Sequence, residues 1–242
     1  MAELEIVGAR LSPFVEKVVG AAVYKQIPFV LHEPKSMGEM RKLNPVTGKM
    51  PVAFFGEEQI YDSTFILRRF DQLVPEPPLL SSDPQIAAAQ RQLEDWSDEA
   101  LYWYVMSLRW SPENQARSLE QLRPYVPGPL RWLAGPVLRR MIGGTTRAQG
   151  LGRLPYADLI RETGERLDDL VLLLAQRSFF YSSRPSVADF SLRGQFRTGC
   201  SGATPDFEQL VSQRPSLADW LKRVDDAARE PGVGPRSDDG PR

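Results

Sequence analysis

The sequence contains very little cysteine and histidine. Its 242 residues include one of each, Cys200 and His32. A single cysteine excludes an intrachain disulfide framework and fits a reducing compartment, so we expect a cytoplasmic protein. One histidine and one cysteine are too few for a structural zinc site, and we predict no bound metal. A nucleophile–histidine–acid triad would have to use His32, which lies in a predicted strand without a suitable partner motif.

Long apolar runs and an excess of charge are also missing. No run of about 18 apolar residues occurs, and the first residues, MAELEIVG, lack the basic-then-apolar form of a signal peptide. The formal net charge is −1, which predicts no bulk attraction to nucleic acid or to an anionic membrane, although local basic clusters are compatible with it. We therefore expect neither as a partner. The chain is long enough for one large or two small domains.

The N-terminal pattern predicts a β-α-β unit followed by two strands and a helix. Residues 3–8 alternate as a strand, and Ser12-Pro13 is a typical helix start. A buried helical stripe follows, and residues 29–32 form a second strand, so a parallel pair with a right-handed crossover is expected. Residues 36–43 read as a polar connection with a short helix. Residues 51–55 and 59–61 read as two more strands, and residues 64–73 as a helix.

The rest of the chain has helical patterns and no strand signals. Residues 74–84 hold four prolines and read as a linker. We predict helices over 85–110, near 129–142, and over 156–176, 186–197 and 215–229. In the helix over 85–110, the residues predicted to share one inward-facing side are Leu93, Trp96, Ala100, Trp103 and Tyr104. The predicted domains are residues 1–76, a linker at 77–84, a helical domain at 85–230 and a flexible tail at 231–242. The Pro- and Gly-rich region 111–155 is either an insertion that shapes a cleft or an irregular connection.

The most informative stretch runs from residue 44 to 63, NPVTGKMPVAFFGEEQIYDS. Pro51 at the start of a strand forces Met50 into an extended conformation. Met50 would then present its backbone N–H and C=O at a sheet edge, where an extended peptide can pair. Ser63 can cap a helix whose first N–H groups suit a carboxylate. Together these features predict a receptor for a small acidic peptide.

This stretch resembles the glutathione-binding half of the glutathione transferases, in which an Asn-Pro-x-Gly-Lys-Val-Pro run leads to a cis-proline and a Glu/Asp-Ser pair follows. The departures are an extra residue, Thr47, and Met50 in place of valine. The Ser186–Asp189 segment, SVAD, resembles the N-capping box of that family's helical domain. The segment at 150–153, GLGR, is similar to a bacterial branch and to metaxin-like relatives. The resemblance implies an α/β thioredoxin-like N-terminal domain plus an all-α C-terminal domain, the glutathione transferase fold.

The resemblance also implies a set of glutathione-binding residues. Met50, which precedes Pro51, would pair with the cysteinyl part of glutathione through its backbone. Asp62 and Ser63 would hold the γ-glutamyl end. Lys49 matches a lysine that contacts the glycyl carboxylate in the tau class, and Lys42 is a second candidate. Both lysines could equally be solvated surface residues.

Ser12 is the candidate catalytic residue, because Ser12-Pro13-Phe14-Val15 resembles the tau-class motif whose serine stabilises the glutathione thiolate. The omega class has cysteine at this position. A charge-assisted hydrogen bond of about 1.5–3 kcal/mol and a helix-end contribution of about 0.3–1 kcal/mol would lower the thiol pKa by about one to three units. Ser-Pro is also a routine helix start, and one hydroxyl can serve both purposes.

The predicted function is conjugation of the glutathione thiolate to a small hydrophobic electrophile, in a homodimer as the family implies. The interdomain electrophile pocket is assigned to aromatic and apolar residues: Phe14, Trp103, Tyr104, Met106 and Trp110. The first alternative is a non-catalytic binding or scaffold protein of the same family. The second is a glutathione-dependent peroxidase or reductase, which the absence of cysteine at position 12 disfavours. Cys200 is interpreted as structural.

Overall fold

A computed structural model describes residues 4–34, 36–125 and 131–229. The predicted tail at 231–242 lies outside the described residues. No helix within these ranges is long and apolar enough to cross a membrane.

The N-terminal part contains one four-stranded sheet. Its strands are β1 (Leu4–Val7), β2 (Phe29–His32), β3 (Val52–Phe55) and β4 (Glu58–Tyr61), in the order β2-β1-β3-β4. β1 and β2 are parallel, as the β-α-β pattern predicted, and β3 is antiparallel to both β1 and β4. The helices of this part are α1 (Pro13–Tyr24), α2 (Met37–Leu43) and α3 (Ser63–Leu73).

Helices cover both faces of the sheet, because alternate strand residues point to opposite sides. Ile6 of β1 belongs to the large core that includes α1 and α3. The next residue, Val7, packs with Val52 and Met40 on the α2 side. The result is the expected thioredoxin-like layering, with α1 and α3 on one side and α2 on the other.

The remainder is helical, as predicted, and contains more helices than the sequence pattern indicated. It comprises α4 (Pro84–Trp96), a π-helical turn (Ser97–Leu101), α5 (Tyr102–Arg109), α6 (Gln115–Leu122), α7 (Arg131–Gln149), α8 (Tyr156–Leu174), α9 (Val187–Gly199), α10 (Pro205–Ser212) and α11 (Pro215–Ala227). Short 3-10 turns occur at Arg123–Tyr125 and Leu151–Arg153. α6 and α10 were not predicted, since each has only eight residues. α7 continues through Gly143-Gly144, beyond the end of the helix predicted near 129–142, because tertiary packing against α5 and the turn at 151–153 outweighs the low helix propensity of glycine.

The predicted inner face of residues 85–110 is partly wrong beyond Trp96. Leu93 is buried as expected, and Tyr104 is partly buried against the core, but the fully buried positions after Trp96 are Leu101, Val105 and Leu108, and Ala100 and Trp103 are not part of the core. The cause is the π-helical turn, which adds one residue to the helix and rotates all later side chains by about 100°.

α9 is the central helix, and it lies directly on α1. Its predicted capping box is present: the Ser186 side chain and the Asp189 carboxylate each bind the other residue's backbone. A Cβ on Gly194 would lie 2.1 Å from the carbonyl oxygen of Pro13, so only glycine permits this approach. The buried Arg193 side chain adds a hydrogen bond of 3.0 Å to the Glu16 carbonyl. The first turn of α1 therefore packs directly against α9, on the side of Gly194 and Arg193.

The predicted linker is fastened to both parts of the chain. The Asp71 carboxylate of α3 accepts hydrogen bonds from the Leu79 N–H and from Lys25 Nζ. The Leu79 carbonyl accepts a hydrogen bond from the Val187 N–H at the start of α9. Leu79 itself is fully buried.

Candidate functional site

The ends of three strands meet at one end of the sheet. Val7, the last residue of β1, is opposite Val52, the first residue of β3, and Val52 is opposite Tyr61, the last residue of β4. The segments next to these strand ends contain the predicted site residues. Ser12 follows β1, Met50-Pro51 precedes β3, and Asp62-Ser63 follows β4. The sheet register therefore brings together the predicted catalytic serine and the predicted peptide-binding residues.

The loop before Met50 is built around the buried side chain of Asn44. Its Nδ2 donates to Thr47 Oγ1 at 2.8 Å and to the Lys49 carbonyl at 2.9 Å, and its Oδ1 accepts from the Thr47 N–H at 3.0 Å. Gly48 has a φ of +65°, which favours glycine. Thr47, the extra residue relative to the family pattern, is thus part of the loop's hydrogen bonding. This loop fixes the direction in which the chain enters Met50.

Met50 precedes a cis peptide bond to Pro51, as the resemblance implied. The prediction that Met50 lies at a sheet edge is wrong in one respect, because β3 is an interior strand. Met50 lies beyond the paired part of β3, where β1 has already turned towards α1. The Ala9 N–H contacts Met50 Sδ at 3.3 Å. Among the described residues, the Met50 N–H and C=O make no hydrogen bond to other backbone groups.

Ser12 is the N-cap residue of α1, in an extended conformation, and it is partly exposed. Its carbonyl accepts the Val15 and Glu16 N–H groups, but its hydroxyl makes no capping hydrogen bond. The loop between β1 and Ser12 touches Met50, since a Cβ on Gly8 would be 3.4 Å from Met50 Cβ. The Ser12 hydroxyl is therefore available at the positive end of a helix.

At α3 the cap is Asp62, not Ser63. Asp62 has a φ of +77° and its carboxylate accepts the Thr64 N–H at 2.8 Å, whereas Ser63 is the first residue of the helix and is buried. The tight turn from β4 into α3 requires this left-handed conformation, and aspartate tolerates it better than most residues do. The helix start that was expected to suit a carboxylate is present, one residue earlier than predicted.

A buried ion cluster, missed in the sequence, adjoins this helix start. Lys17 Nζ of α1 lies 2.6 Å from Asp98 Oδ2 and 2.7 Å from Glu94 Oε1, and donates to Thr64 Oγ1 at 3.1 Å. Ser191 donates to the other Asp98 oxygen. Burial lowers the pKa of Lys17, but the two carboxylates raise it by more, so the pKa is raised overall. Burial raises the pKa of Asp98 despite the neighbouring ammonium. The only sequence signal was a lysine inside an apolar helical run.

The two candidate lysines are both exposed. Lys42 lies in the last turn of α2, and Lys49 follows Gly48 in the Asn44 loop. Both are close in sequence to Met50, the residue predicted to pair with a peptide. Their exposure fits a solvated surface as well as a carboxylate contact.

The candidate electrophile residues do not form one group. The ring centroids of Phe14 and Tyr102 are 5.3 Å apart, and those of Tyr102 and Trp103 are 5.0 Å apart. Tyr102 was not predicted, although its i, i+4, i+8 spacing to Met106 and Trp110 was a usable signal. Burial raises the pKa of the Tyr102 hydroxyl.

Tyr104 and Trp110 have other surroundings. Tyr104 lies on the opposite side of α5, where the Arg166 guanidinium is 5.8 Å from its ring centroid. Trp110 is nearly buried and lines a cavity next to α7 and α8. Phe14, two residues after Ser12, therefore belongs to an aromatic group with Tyr102 and Trp103, and Met106 lies one helical turn after Tyr102.

Two further features bear on the chemistry. Within the described ranges, no three His, Cys, Asp or Glu side chains are grouped as metal ligands. Cys200 is unpaired, and burial raises the pKa of its thiol to about 12. It is thus a protonated thiol at neutral pH.

Comparisons with known proteins give a consistent picture. The family model of the glutathione S-transferase N-terminal domain matches residues 6–78. Glutathione S-transferase U2 of Arabidopsis thaliana is 31% identical over 101 residues, which cover 40% of this chain and 45% of that relative, so the match spans less than half of it.

Solved structures resemble most of the chain. The tau-class glutathione S-transferase of mango, Mangifera indica, is 21% identical with a TM-score of 0.62, over 94% of this chain and 93% of that one. The β-etherase LigF of Sphingobium sp. strain SYK-6 is 21% identical with a TM-score of 0.65, over 93% and 95%. These likenesses show the fold, which proteins of different named activities share.

Proposed function

We propose that this chain, which belongs to the glutathione S-transferase family, binds glutathione and conjugates its thiolate to a hydrophobic electrophile. The observation that carries the proposal is the convergence of Ser12, Met50 and the start of α3 at one end of the sheet. A γ-glutamyl peptide with a reactive thiol requires three features. They are a hydroxyl without a capping hydrogen bond, a backbone segment without backbone partners, and a helix N-terminus.

Binding would use the backbone first. The N–H and C=O of Met50 would pair with the cysteinyl unit of glutathione. The Ser63 N–H at the start of α3 would hold the γ-glutamyl carboxylate, because Asp62 already occupies the Thr64 N–H. One cation and two carboxylates in the Lys17 cluster leave a negative balance near Thr64, which would attract the γ-glutamyl ammonium. Lys49 and Lys42 are candidates for the glycyl carboxylate.

Catalysis would consist of making the thiolate and exposing it to the second substrate. The Ser12 hydroxyl would donate a hydrogen bond to the glutathione sulfur, and the N-terminus of α1 would add its positive potential. The thiol proton passes to solvent water. The thiolate then attacks an electrophilic carbon, a C–S bond forms, and the electron pair of the broken bond leaves with the displaced group. Phe14, Tyr102 and Trp103 are the apolar surface on which we expect the electrophile to lie.

The test is calorimetry of glutathione binding, together with the ultraviolet absorbance of the bound thiolate against pH. Wild type is compared with Ser12→Ala and with Ser36→Ala, which removes the N-cap serine of α2. We expect binding in all three, and a depressed thiol pKa that only Ser12→Ala returns towards about 8.5.

Other outcomes decide between the alternatives. If glutathione binds but its pKa does not respond to Ser12, the catalytic assignment is wrong and a binding or scaffold role is favoured. If no binding occurs at millimolar glutathione, the proposal fails as a whole. The homodimer and a role in detoxification remain predictions from the resemblance, and the cytoplasmic location remains a prediction from the single cysteine.

A further inference from the structure

Charge is distributed unevenly along the chain, although the formal net charge is −1. Between Glu120 and Asp158 there are six arginines and no acidic residue, so the other residues together are strongly negative. α7 (Arg131–Gln149) lies entirely within this stretch and contains four of the arginines. The expectation that an anionic membrane is not a partner rested on the net charge, which says nothing about a local basic helix.

One side of α7 faces the protein. Leu138, Ile142 and Thr146 follow one another at intervals of four residues and therefore share this side. Leu138 and Ile142 are half-buried, and Thr146 is 4% exposed. An added Cβ on Gly152 would be 2.7 Å from Thr146 Oγ1, so Thr146 lies against the turn Leu151–Arg153.

The opposite side of α7 presents apolar and basic side chains to solvent. Val137 is 59% exposed, and Met141, one turn later, is 56% exposed. Arg140 and Arg147 are exposed on the same side, and an added Cβ on Gly144, which lies between them, would meet nothing within 4 Å. Among the described residues, neither guanidinium group has a hydrogen-bond or ion-pair partner. We call these five residues the outer face of α7.

The outer face suits the surface of an anionic membrane better than it suits a nucleic acid. Arginine is attracted to both, because both carry phosphate charge. Exposed apolar side chains between the arginines gain little from a sugar–phosphate backbone, whereas the boundary between lipid headgroups and acyl chains accepts them. Arginine stems can lie along that boundary while the guanidinium groups reach the headgroups. The nineteen residues of α7 include no acidic side chain that the lipid would repel.

We propose that the outer face of α7 binds the surface of a membrane that contains anionic phospholipids. The helix would lie in the plane of the interface, with Val137 and Met141 among the headgroups. Arg140 and Arg147 would pair with the negative headgroup charges. Two arginines and two apolar side chains provide reversible attachment. None of these residues belongs to the proposed glutathione site, so the two proposals stand or fall independently.

The experiment measures co-sedimentation of the full chain with sucrose-loaded vesicles of phosphatidylcholine that contain about 30% phosphatidylserine, and with vesicles of phosphatidylcholine alone. Arg140→Gln/Arg147→Gln removes two charges from the outer face. Its control, Arg91→Gln/Arg177→Gln, removes two exposed charges from α4 and from the turn after α8. Glutamine is a good helix former, so the helices should persist.

A second pair of variants tests the apolar part of the outer face. Met141→Gln removes an exposed apolar side chain from it. Leu172→Gln makes a similar change on α8, where Leu172 is 76% exposed. Melting temperatures of all four variants establish that each is folded.

We expect wild type to sediment with the phosphatidylserine vesicles at low ionic strength, to sediment much less with phosphatidylcholine alone, and to be released by salt. One arginine near an anionic surface contributes about fivefold to binding, so Arg140→Gln/Arg147→Gln should bind about 25-fold more weakly. Met141→Gln should bind about threefold or more weakly, because less apolar surface leaves water. Both controls should stay within about twofold of wild type, since their positions lie outside the outer face.

Three results would overturn the proposal. The first is a wild-type chain that does not sediment with the phosphatidylserine vesicles. The second is an equal loss of binding in the outer-face variants and in their controls. The third comes from titrating a labelled single-stranded RNA by fluorescence anisotropy. If the arginine pair lowers affinity for the RNA while vesicle binding is unchanged, the basic face serves a nucleic acid and the membrane proposal is refuted.

Discussion

Replacing Gly194 by alanine tests whether α9 holds the start of α1 behind Ser12. The added Cβ would be 2.1 Å from the Pro13 carbonyl oxygen, whereas ordinary contacts begin at 3.4 Å. The obstacle is backbone, so the two helices must separate by about 1.3 Å. Overpacking costs about 1–3 kcal/mol, and alanine returns about 0.5–1 kcal/mol of helix propensity. Because the obstacle is backbone, we take the upper end of the overpacking range and expect a net loss of about 2 kcal/mol, which lowers Tm by about 4–8 °C.

The same displacement should reach the proposed chemistry, because Ser12 precedes Pro13. A shift of about 1 Å in a catalytic group costs about a hundredfold in rate. Calorimetric scans and the bound-thiol pKa are measured for Gly194→Ala and for Gly164→Ala of α8. At Gly164 the nearest atoms to a new Cβ are at 3.5 Å, so that variant should be neutral or slightly stabilised. If the two variants have the same Tm, the backbone contact does not support the site and the reasoning is refuted.

Three further predictions concern buried ionisable groups. Lys17→Met leaves two buried carboxylates without their cation, and urea unfolding should show a loss of about 3–5 kcal/mol; a loss below about 1 kcal/mol contradicts this account. Burial raises the folded-state pKa of Asp189 from 3.8 to about 6, so the stability it contributes is complete below pH 3.8 and is lost as pH rises through 6. The destabilisation of Asp189→Asn in urea should therefore shrink between pH 4 and 7 by about 3 kcal/mol, and a constant difference would count against it. Because its pKa is about 12, Cys200 should react with 5,5′-dithiobis(2-nitrobenzoate) at pH 7.5 only upon unfolding, and rapid labelling of the folded chain would disprove its protonated state.

The N-terminal part could be predicted because its signals are local. Proline and serine mark where α1 begins, and short alternating segments mark the strands. The Asp62 cap was misplaced by one residue, because both Asp62 and Ser63 are good caps and only the φ of +77° decides between them. The convergence of Ser12, Met50 and Ser63 depends on strand register, which follows from pairing over long sequence distances. The resemblance to a family could supply it, whereas periodicity alone could not.

The π-helical turn explains why the helical half was harder to predict. A sequence pattern assumes 3.6 residues per turn throughout, and residues 85–110 fit one continuous helix under that assumption. One extra residue at Ser97–Leu101 changes which side chains after it face the core, and the same turn carries Asp98 to Lys17. It also brings Tyr102 against Phe14. A regular helix would turn Trp103 towards the core, so the contact of the Tyr102–Trp103 pair with Phe14 depends on this irregularity, and π-helical turns of this kind are often found at functional sites.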